Sequence, residues 1–345
     1  MDKIAEARNG TRIRNRRQRL LKNLSGEVIY ADRRRESTLY NQDVFVKPTI
    51  SFGICAYNEE KNIGNLLQSI QSQNTEKFQI NQIFVISSAC RDKTDEITEN
   101  FHAKDPRIEL IKEPQRNGKA AAINLFLKVA KGDICILISA DTVIPPNSLE
   151  LVCSPFLNPK VGMTGGHPIP VNNPASFMGF VSKYIWELAH QLSLSDPKLG
   201  EYIAFRNVLR EISAETAVDE AFVEVEIKNK GYTIAYVPEA IVYNKGPATV
   251  KDFLKQRRRI YSGHLHLKNT KNYKVSSMGV FKLMKIVVRS IKPDWRFILW
   301  TPAAVFLEFY ARCLGSYDFY VKKRNPYKWE MVPSTKATIE YANQT

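Results

Sequence analysis

No uninterrupted apolar run stands in residues 1–45, so no secretory signal core is written there, and the expectation is a chain that stays in the cytoplasm. The 5 cysteines, Cys55, Cys90, Cys135, Cys153 and Cys313, are widely spaced and form no CxxC pair. That pattern indicates neither a disulfide framework nor a thiolate zinc site and fits a reducing compartment. No GxGxxG follows an apolar run, and the Gly118-Lys119 step lacks the upstream glycine and the following Ser or Thr of a P-loop. There is no fixed-period repeat and no low-complexity tract. Acidic residues are also short: 35 Asp and Glu face 50 Lys and Arg, leaving a net charge of +15. An excess of that size implies an anionic partner, whether phospholipid, nucleic acid or a phosphorylated substrate.

The chain has 345 residues of 44% hydrophobic composition, enough for one large or two fused domains with real cores. From residue 48, short β-rich apolar runs alternate with helical patterns, the signature of a mostly parallel sheet covered by helices. The run 49–56 ends in Tyr57-Asn58-Glu59-Glu60-Lys61, where Asn58 is placed to cap a helix carrying Ile63, Leu66, Leu67 and Ile70 on one face. Strands are expected at 82–88, 107–112 and 133–140, and helices at 94–101 and 118–130. The unbroken apolar character of 133–140 marks it as the central strand. Beyond Pro145-Pro146 the alternation loosens through Gly165-Gly166-His167-Pro168, a helix near 175–192, an acidic helix at 219–230 and a strand at 233–237.

The two ends differ from this pattern. Arg8, Arg12, Arg14, Arg16, Arg17, Arg19 and Lys22 make the N-terminus a basic arm, expected to be helical. Residues 278–291 interleave Lys282, Lys285 and Arg289 with apolar residues, as an interfacial helix does. The segment 297–311 is short for a membrane span, is interrupted by Pro302 and Glu308 and is followed at once by Arg312.

Ligands of open α/β sheets bind at the carboxyl ends of parallel strands, which here carry Tyr57-Asn58-Glu59, residues 87–92 and Ser139-Ala140-Asp141. Asn58, Glu59 and Asp92 offer acceptors to a ribose or a base N–H, or serve as helix caps. Asn117-Gly118-Lys119 opens a helix, where backbone N–H groups and the ammonium can meet a phosphate, or simply form a turn. Asp141 suits one hard cation, or a cap. Asp219 and Glu220 could supply a general base, or favour the first turn of a helix. Gln256-Arg257-Arg258-Arg259-Ile260 is a basic cluster open to phosphate, acceptor, lipid or solvent, with Gln256 and Arg259 on one side.

In this order, from about Thr49 to His266, these pieces resemble the family 2 inverting glycosyltransferases of the GT-A fold. Ile54-Cys55-Ala56-Tyr57-Asn58-Glu59-Glu60 is similar to the family's first strand and Asn-Glu turn, and Asn117-Gly118-Lys119-Ala120 to its Gly-Lys helix start. Ser139-Ala140-Asp141 occupies the place of the Asp-x-Asp signature, and Asp219-Glu220 that of the acidic pair carrying the base. Gln256 to Ile260 is similar to the Gln-x-x-Arg-Trp signature of members acting on polysaccharide or lipid-linked acceptors. The departures are Ser139 for the first metal-site Asp, Ser87-Ser88 for an acidic pair, Ile260 for Trp, and the inverted order of Asp219-Glu220, where counting back from Gly231 favours Glu220.

The resemblance implies a nucleotide-sugar donor bordered by Ala56, Asn58, Glu59, Asp92, Asn117, Lys119, Ala140, Gln256, Arg258 and Arg259. It also implies a divalent ion, Mg²⁺ or Mn²⁺, on Asp141, and a base at Glu220 or Asp219. The expected division is a basic extension (1–45), a donor-binding half (46–150), an acceptor-binding half (151–275) and a C-terminal amphipathic segment (276–345). A lipid-linked or glycan acceptor and a peripheral seat at the cytoplasmic face of the membrane complete the expectation, and no nucleic acid is expected as partner. Two alternatives stand beside it: a nucleotidyltransferase, which calls for a Gly- and Lys/Arg-rich loop where acidic Tyr57-Asn58-Glu59-Glu60 stands, and a non-catalytic basic binder of membrane or nucleic acid.

Overall fold

A computed structural model describes residues 20–22, 28–30, 46–290, 294–327 and 333–336. Residues 1–47 and 48–345 are separate compact units. In the first, β1 (Leu20–Lys22) and β2 (Val28–Tyr30) pair antiparallel, with Leu20 opposite Tyr30. Lys22 thus lies in a strand where a helix was expected, opposite the β-branched and aromatic run Val28-Ile29-Tyr30 that favours extended backbone. Arg8 to Arg19 lie outside the described residues.

The second unit is built on seven strands: β3 (Thr49–Ala56), β4 (Gln79–Ser88), β5 (Ile108–Glu113), β6 (Ile134–Ser139), β7 (Val161–Pro170), β8 (Tyr202–Arg206) and β9 (Thr233–Asn244). They order as β5-β4-β3-β6-β8-β7-β9. All neighbouring pairs are parallel except β6 with β8 and β7 with β8. Strands β7 and β8 were not read from the sequence. The glycines and prolines of β7 hide its strand character, yet Gly165 and His167 are register positions against Tyr236 and Ile241 of β9.

The period-2 geometry of the strands divides the core into two layers. Phe52, Ile54, Ile83, Val85, Ile136 and Ile138 face one, with Ile63, Leu66, Leu67 and Ile70 of α1 (Ile63–Gln71). Phe84, Ile86, Cys135 and Leu137 face the other, with Ile123 and Phe126 of α3 (Lys119–Val129). Burial on both faces explains why β6 reads as a continuous apolar run. A Cβ at Gly53 would stand 2.6 Å from the Phe126 ring, so only glycine lets α3 lie this close to β3.

From β3 the chain goes first to β4 and β5 on one side, then crosses back to β6 on the other. That reversal places a crevice between the carboxyl ends of β3 and β6, which is where the site forms. The remaining helices are α2 (Thr94–His102), α4 (Ser148–Cys153), α5 (Phe177–Ser193), α6 (Asp219–Asn229), α7 (Val250–Lys271), α8 (Val280–Arg289) and α9 (Trp295–Tyr320). A third apolar cluster joins Val181 and Tyr184 of α5, Phe253 of α7 and Ala304 of α9. Along α9, Gly315 admits the α7 backbone, since a Cβ there would be 2.7 Å from the Arg258 carbonyl oxygen. By length and composition alone α9 could cross a membrane, and 17% of its most apolar window is buried.

Candidate active site

The β3–α1 turn is held by its own polar groups. Asn58 takes a left-handed backbone (φ 54°), and its Oδ1 accepts from the Arg91 N–H at 2.9 Å. It does not cap α1, which starts at Ile63 without a side-chain cap. Asp92 accepts from the Glu60 N–H through Oδ2 and from the Thr94 N–H through Oδ1, both at 3.0 Å. Asn58 and Asp92 therefore brace two loops against each other, and neither lines the cleft. Asn117 and Arg258 do not line it either; Arg258 instead forms a two-pronged ion pair with Asp318 of α9.

The cleft, of ≈ 300 Å³, gathers the rest: Ala56, Glu59, Lys119, Ala140, Asp141, Asp219, Glu220, Gln256 and Arg259. Its central relationship joins the start of α3 to the start of α6. Lys119 Nζ lies 2.7 Å from Asp219 Oδ2 and 2.9 Å from Glu220 Oε1. Burial and the Glu220 charge push the Asp219 carboxyl up. Burial would push Glu220 up as well, but Lys119, seconded by Arg259, holds it below its ordinary range. Of the adjacent acids, Glu220 is the one shifted toward its ionised form.

Two further acids line the same cleft. Asp141 follows β6, and burial raises its carboxyl. Glu201, just before β8, is raised to about 7 by burial and then by Asp141 and Glu220. Neither carboxylate has an ion-pair partner among the described residues. Two hard oxygen donors lining one cleft suit Mg²⁺ or Mn²⁺, provided the ligand supplies further oxygens. The described residues assemble no group of three or more His, Cys, Asp or Glu, so such an ion would depend on those oxygens.

Several lining residues lay outside the sequence reading. Glu201 sits in a left-handed turn (φ 59°) after Gly200. A Gly-turn leading into the apolar run 202–205 is a strand-opening signal that could have drawn attention to it. Lys198 and Arg116 also line the cleft, the latter with its guanidinium 4.0 Å above the Tyr57 ring. Lys336, far along the chain, pairs with the Glu59 carboxylate, while its neighbour Ser334 donates to Asp252 Oδ2 at 2.5 Å. At Ser87-Ser88, where the resemblance leads one to expect acids, Ser88 Oγ donates at 2.5 Å to buried Glu113 of the adjacent strand β5.

Comparison with known proteins agrees with this geometry. Residues 51–214 match Glycosyl transferase family 2, and residues 134–314 match Glycosyl transferase family group 2. Over 228 residues the chain is 25% identical to the poly-β-1,6-N-acetyl-D-glucosamine synthase of Staphylococcus aureus, covering 62% of this chain and 54% of the relative. The chain thus spans about half the length of that relative. It is 31% identical over 105 residues to an uncharacterised glycosyltransferase of Methanocaldococcus jannaschii, covering 30% of this chain and 36% of the other. Among solved structures, the mannosyltransferase of Pyrobaculum calidifontis, in complex with GDP-mannose and Mn²⁺, superposes with a TM-score of 0.56 at 20% identity. That match covers 83% of this chain and 89% of the other, and it supports the GT-A architecture. The α/β sheet, the crevice at its switch point and the family matches lead to one assignment: the chain belongs to glycosyl transferase family 2.

Proposed function

We propose that the protein transfers a sugar, with inversion, from a nucleotide-diphosphate donor to an acceptor hydroxyl or phosphate oxygen in a single displacement. The observation that carries this is the Lys119–Glu220 pair, which shifts one carboxylate toward its ionised form in a cleft at the switch point of the sheet. Glu220 is suited to take the acceptor proton, because an ionised carboxylate facing the cleft is a competent general base. Asp219, raised by burial and 2.7 Å from the same Lys119 ammonium, serves as its neighbour. Ala56, Glu59 and Arg116 border the base and ribose end, where Tyr57 and the guanidinium above it offer a flat stacking surface. Asp141 and Glu201 would hold a divalent cation, Mg²⁺ or Mn²⁺, which when bound would offset the charge on the leaving diphosphate. Lys119, Gln256 and Arg259 complete the polar lining around it.

The acceptor is lipid-linked or a glycan, and the protein works peripherally at the cytoplasmic face of a membrane. Support comes from α8, whose exposed Lys285 and Arg289 alternate with exposed Met284 and Val288, and from the exposed Trp295, Ile298, Leu299, Phe306 and Phe309 of α9. The test is release of nucleotide diphosphate from UDP-glucose, UDP-N-acetylglucosamine, UDP-galactose and GDP-mannose, with Mn²⁺ or Mg²⁺ and a membrane lipid extract. Release that needs the metal and is lost in Asp141→Ala and Glu220→Gln supports the proposal. Absence of both turnover and nucleotide binding would sink it.

A further inference from the structure

Helix α5 lines two different spaces with its two sides. Ser182, Ile185, Trp186 and Ala189 line the cleft of the candidate active site. Phe180, Lys183, Tyr184, Glu187 and Gln191, on the opposite side of the helix, line a separate groove of ≈ 820 Å³. The other wall of that groove is α8, which contributes Lys282, Lys285, Ile286 and Arg289, spaced i, i+3, i+4 and i+7 and so on one face. Two contacts pin the walls together: Lys282 Nζ lies 3.3 Å from Asp196 Oδ2, and the Tyr184 and Ser290 hydroxyls are 3.5 Å apart. The side chains of Lys183, Lys285 and Arg289 join no hydrogen bond or ion pair among the described residues, and Glu187 is the only acid in the described lining. Met284 and Val288, on the far face of α8, are 49% and 62% exposed. The helix thus turns its cations toward α5 and leaves apolar side chains outward, the reverse of an amphipathic helix packed in water.

That orientation fits a helix lying in a membrane interface, with hydrocarbon against Met284 and Val288 and the groove at the level of the headgroups. Three cations without partners, facing one carboxylate, call for an anion at that level. We infer that the groove between α5 and α8 binds an anionic glycerophospholipid, its phosphodiester held by Lys183, Lys285 and Arg289 and its acyl chains directed to the apolar side of α8 and α9. The volume lies within the ~300–1,000 Å³ of sites that hold a small organic ligand. Apolar lining stands beside the cations in Phe180, Ile286 and Phe297, and Phe297 is followed at once by the exposed Ile298 and Leu299. A free phosphate engages the cations and leaves this apolar surface uncovered. A choline headgroup brings a cation of its own into a groove that already has a positive surplus, so the zwitterionic lipid is disfavoured. The inference rests on the peripheral membrane seat proposed above and names the lipid class that it holds. It assigns this lipid no part in sugar transfer, because α5 stands between the groove and the cleft.

Titration calorimetry on the full chain tests this with dihexanoyl phosphatidylglycerol and dihexanoyl phosphatidylcholine below their micellar concentrations, and with glycerol 3-phosphate. Wild type is compared with Lys183→Ala, Lys183→Arg, Arg289→Ala and, as a charge-matched control on the exposed surface of α3, Lys128→Ala. Phosphatidylglycerol should bind wild type, Lys183→Arg and Lys128→Ala alike and weaken by about 10-fold or more in Lys183→Ala and in Arg289→Ala. Phosphatidylcholine and glycerol 3-phosphate should each bind wild type about 10-fold or more weakly than phosphatidylglycerol does. No binding of phosphatidylglycerol, unchanged binding in Lys183→Ala, or a loss in Lys128→Ala equal to that in Lys183→Ala would each overturn the inference, the last by reducing the attraction to diffuse charge. Phosphatidylcholine or glycerol 3-phosphate binding as tightly as phosphatidylglycerol would overturn it too. Cosedimentation with phosphatidylglycerol vesicles keeps the groove and the membrane seat apart. Vesicle binding without binding of the monomeric lipid leaves the seat standing and removes the groove, whereas monomer binding that depends on Lys183 without cosedimentation upholds the groove and removes the seat.

Discussion

Glu220 Oε1 lies 2.9 Å from Lys119 Nζ, and this contact joins the helix after β5 to the helix after β8, which are 101 positions apart in the chain. The folded-state pKa of Glu220 is depressed, so this proposed base is ionised above that value and silenced as pH falls through it. Removing the cation in Lys119→Met should raise the carboxylate and move the acid limb of the kcat/KM profile upward by about one pH unit or more. An unmoved limb would show that another group is the base.

Glu220→Gln and Asp219→Asn should separate the adjacent acids. The first removes the proposed proton acceptor and should lower kcat by roughly 10²–10⁴-fold with donor affinity retained. The second removes a carboxyl already raised by burial and should cost about 10-fold or less, on the same scale. Steady-state kinetics with nucleotide release as the readout distinguishes them, and the reverse order would transfer the role to Asp219.

Asp141 and Glu201 make their own prediction for Mn²⁺. Asp141→Asn should abolish metal-dependent tightening of nucleotide diphosphate binding, and Glu201→Gln should weaken it by about 10- to 100-fold. Calorimetry with and without Mn²⁺ reads both. Wild-type affinity for Mn²⁺ and nucleotide in Glu201→Gln would leave Asp141 to act without it.

Glu308 holds two guanidiniums, and burial alone would raise its carboxyl, yet Arg257 and then Arg312 hold it at about 2. Glu308→Ala leaves both cations unanswered and should destabilise the fold by about 3–5 kcal/mol in urea unfolding. The pair's contribution is complete above the ordinary carboxylate value and fades as pH falls toward 2. The wild-type advantage over Glu308→Ala should therefore shrink below pH 4.

The proposed seat on the membrane should depend on charge as well as apolar area. Reversal of Lys285 and Arg289 to Glu should reduce cosedimentation with vesicles of anionic phospholipid by about 10-fold or more, at roughly 1 kcal/mol per cation removed from the surface. Cosedimentation unaffected by the reversal would limit the attachment to the apolar face of α9.

The sequence made one half of this site visible because that half is built from turns at strand ends. Glu59, Lys119 and Asp141 each follow an apolar run or open a helix, so periodicity alone locates them. Glu220 was favoured by its spacing from Gly231, a local measure. The other half depends on long-range pairing that no local pattern records. Glu201 reaches the cleft through the antiparallel insertion of β8 between β6 and β7, and Lys336 through a return of the chain to the first turn. Asn58 and Asp92 have side chains suited to a ribose, yet the loops use their oxygens first, and residue type cannot show that priority. The resemblance of the cluster 256–260 puts Arg258 at the donor with Gln256 and Arg259, but α9, with Asp318 on it, decides where the guanidinium goes.

The left-handed backbone at Glu201 has a meaning for anyone who would engineer this protein. An L side chain at φ 59° costs of order 1 kcal/mol, which glycine would not incur. A redesign guided by thermostability alone would replace Glu201 with glycine or asparagine, and the variant should melt higher. It would also have traded an acid of the cleft for that gain, so position 201 is one where a stability screen and an activity screen should select different residues.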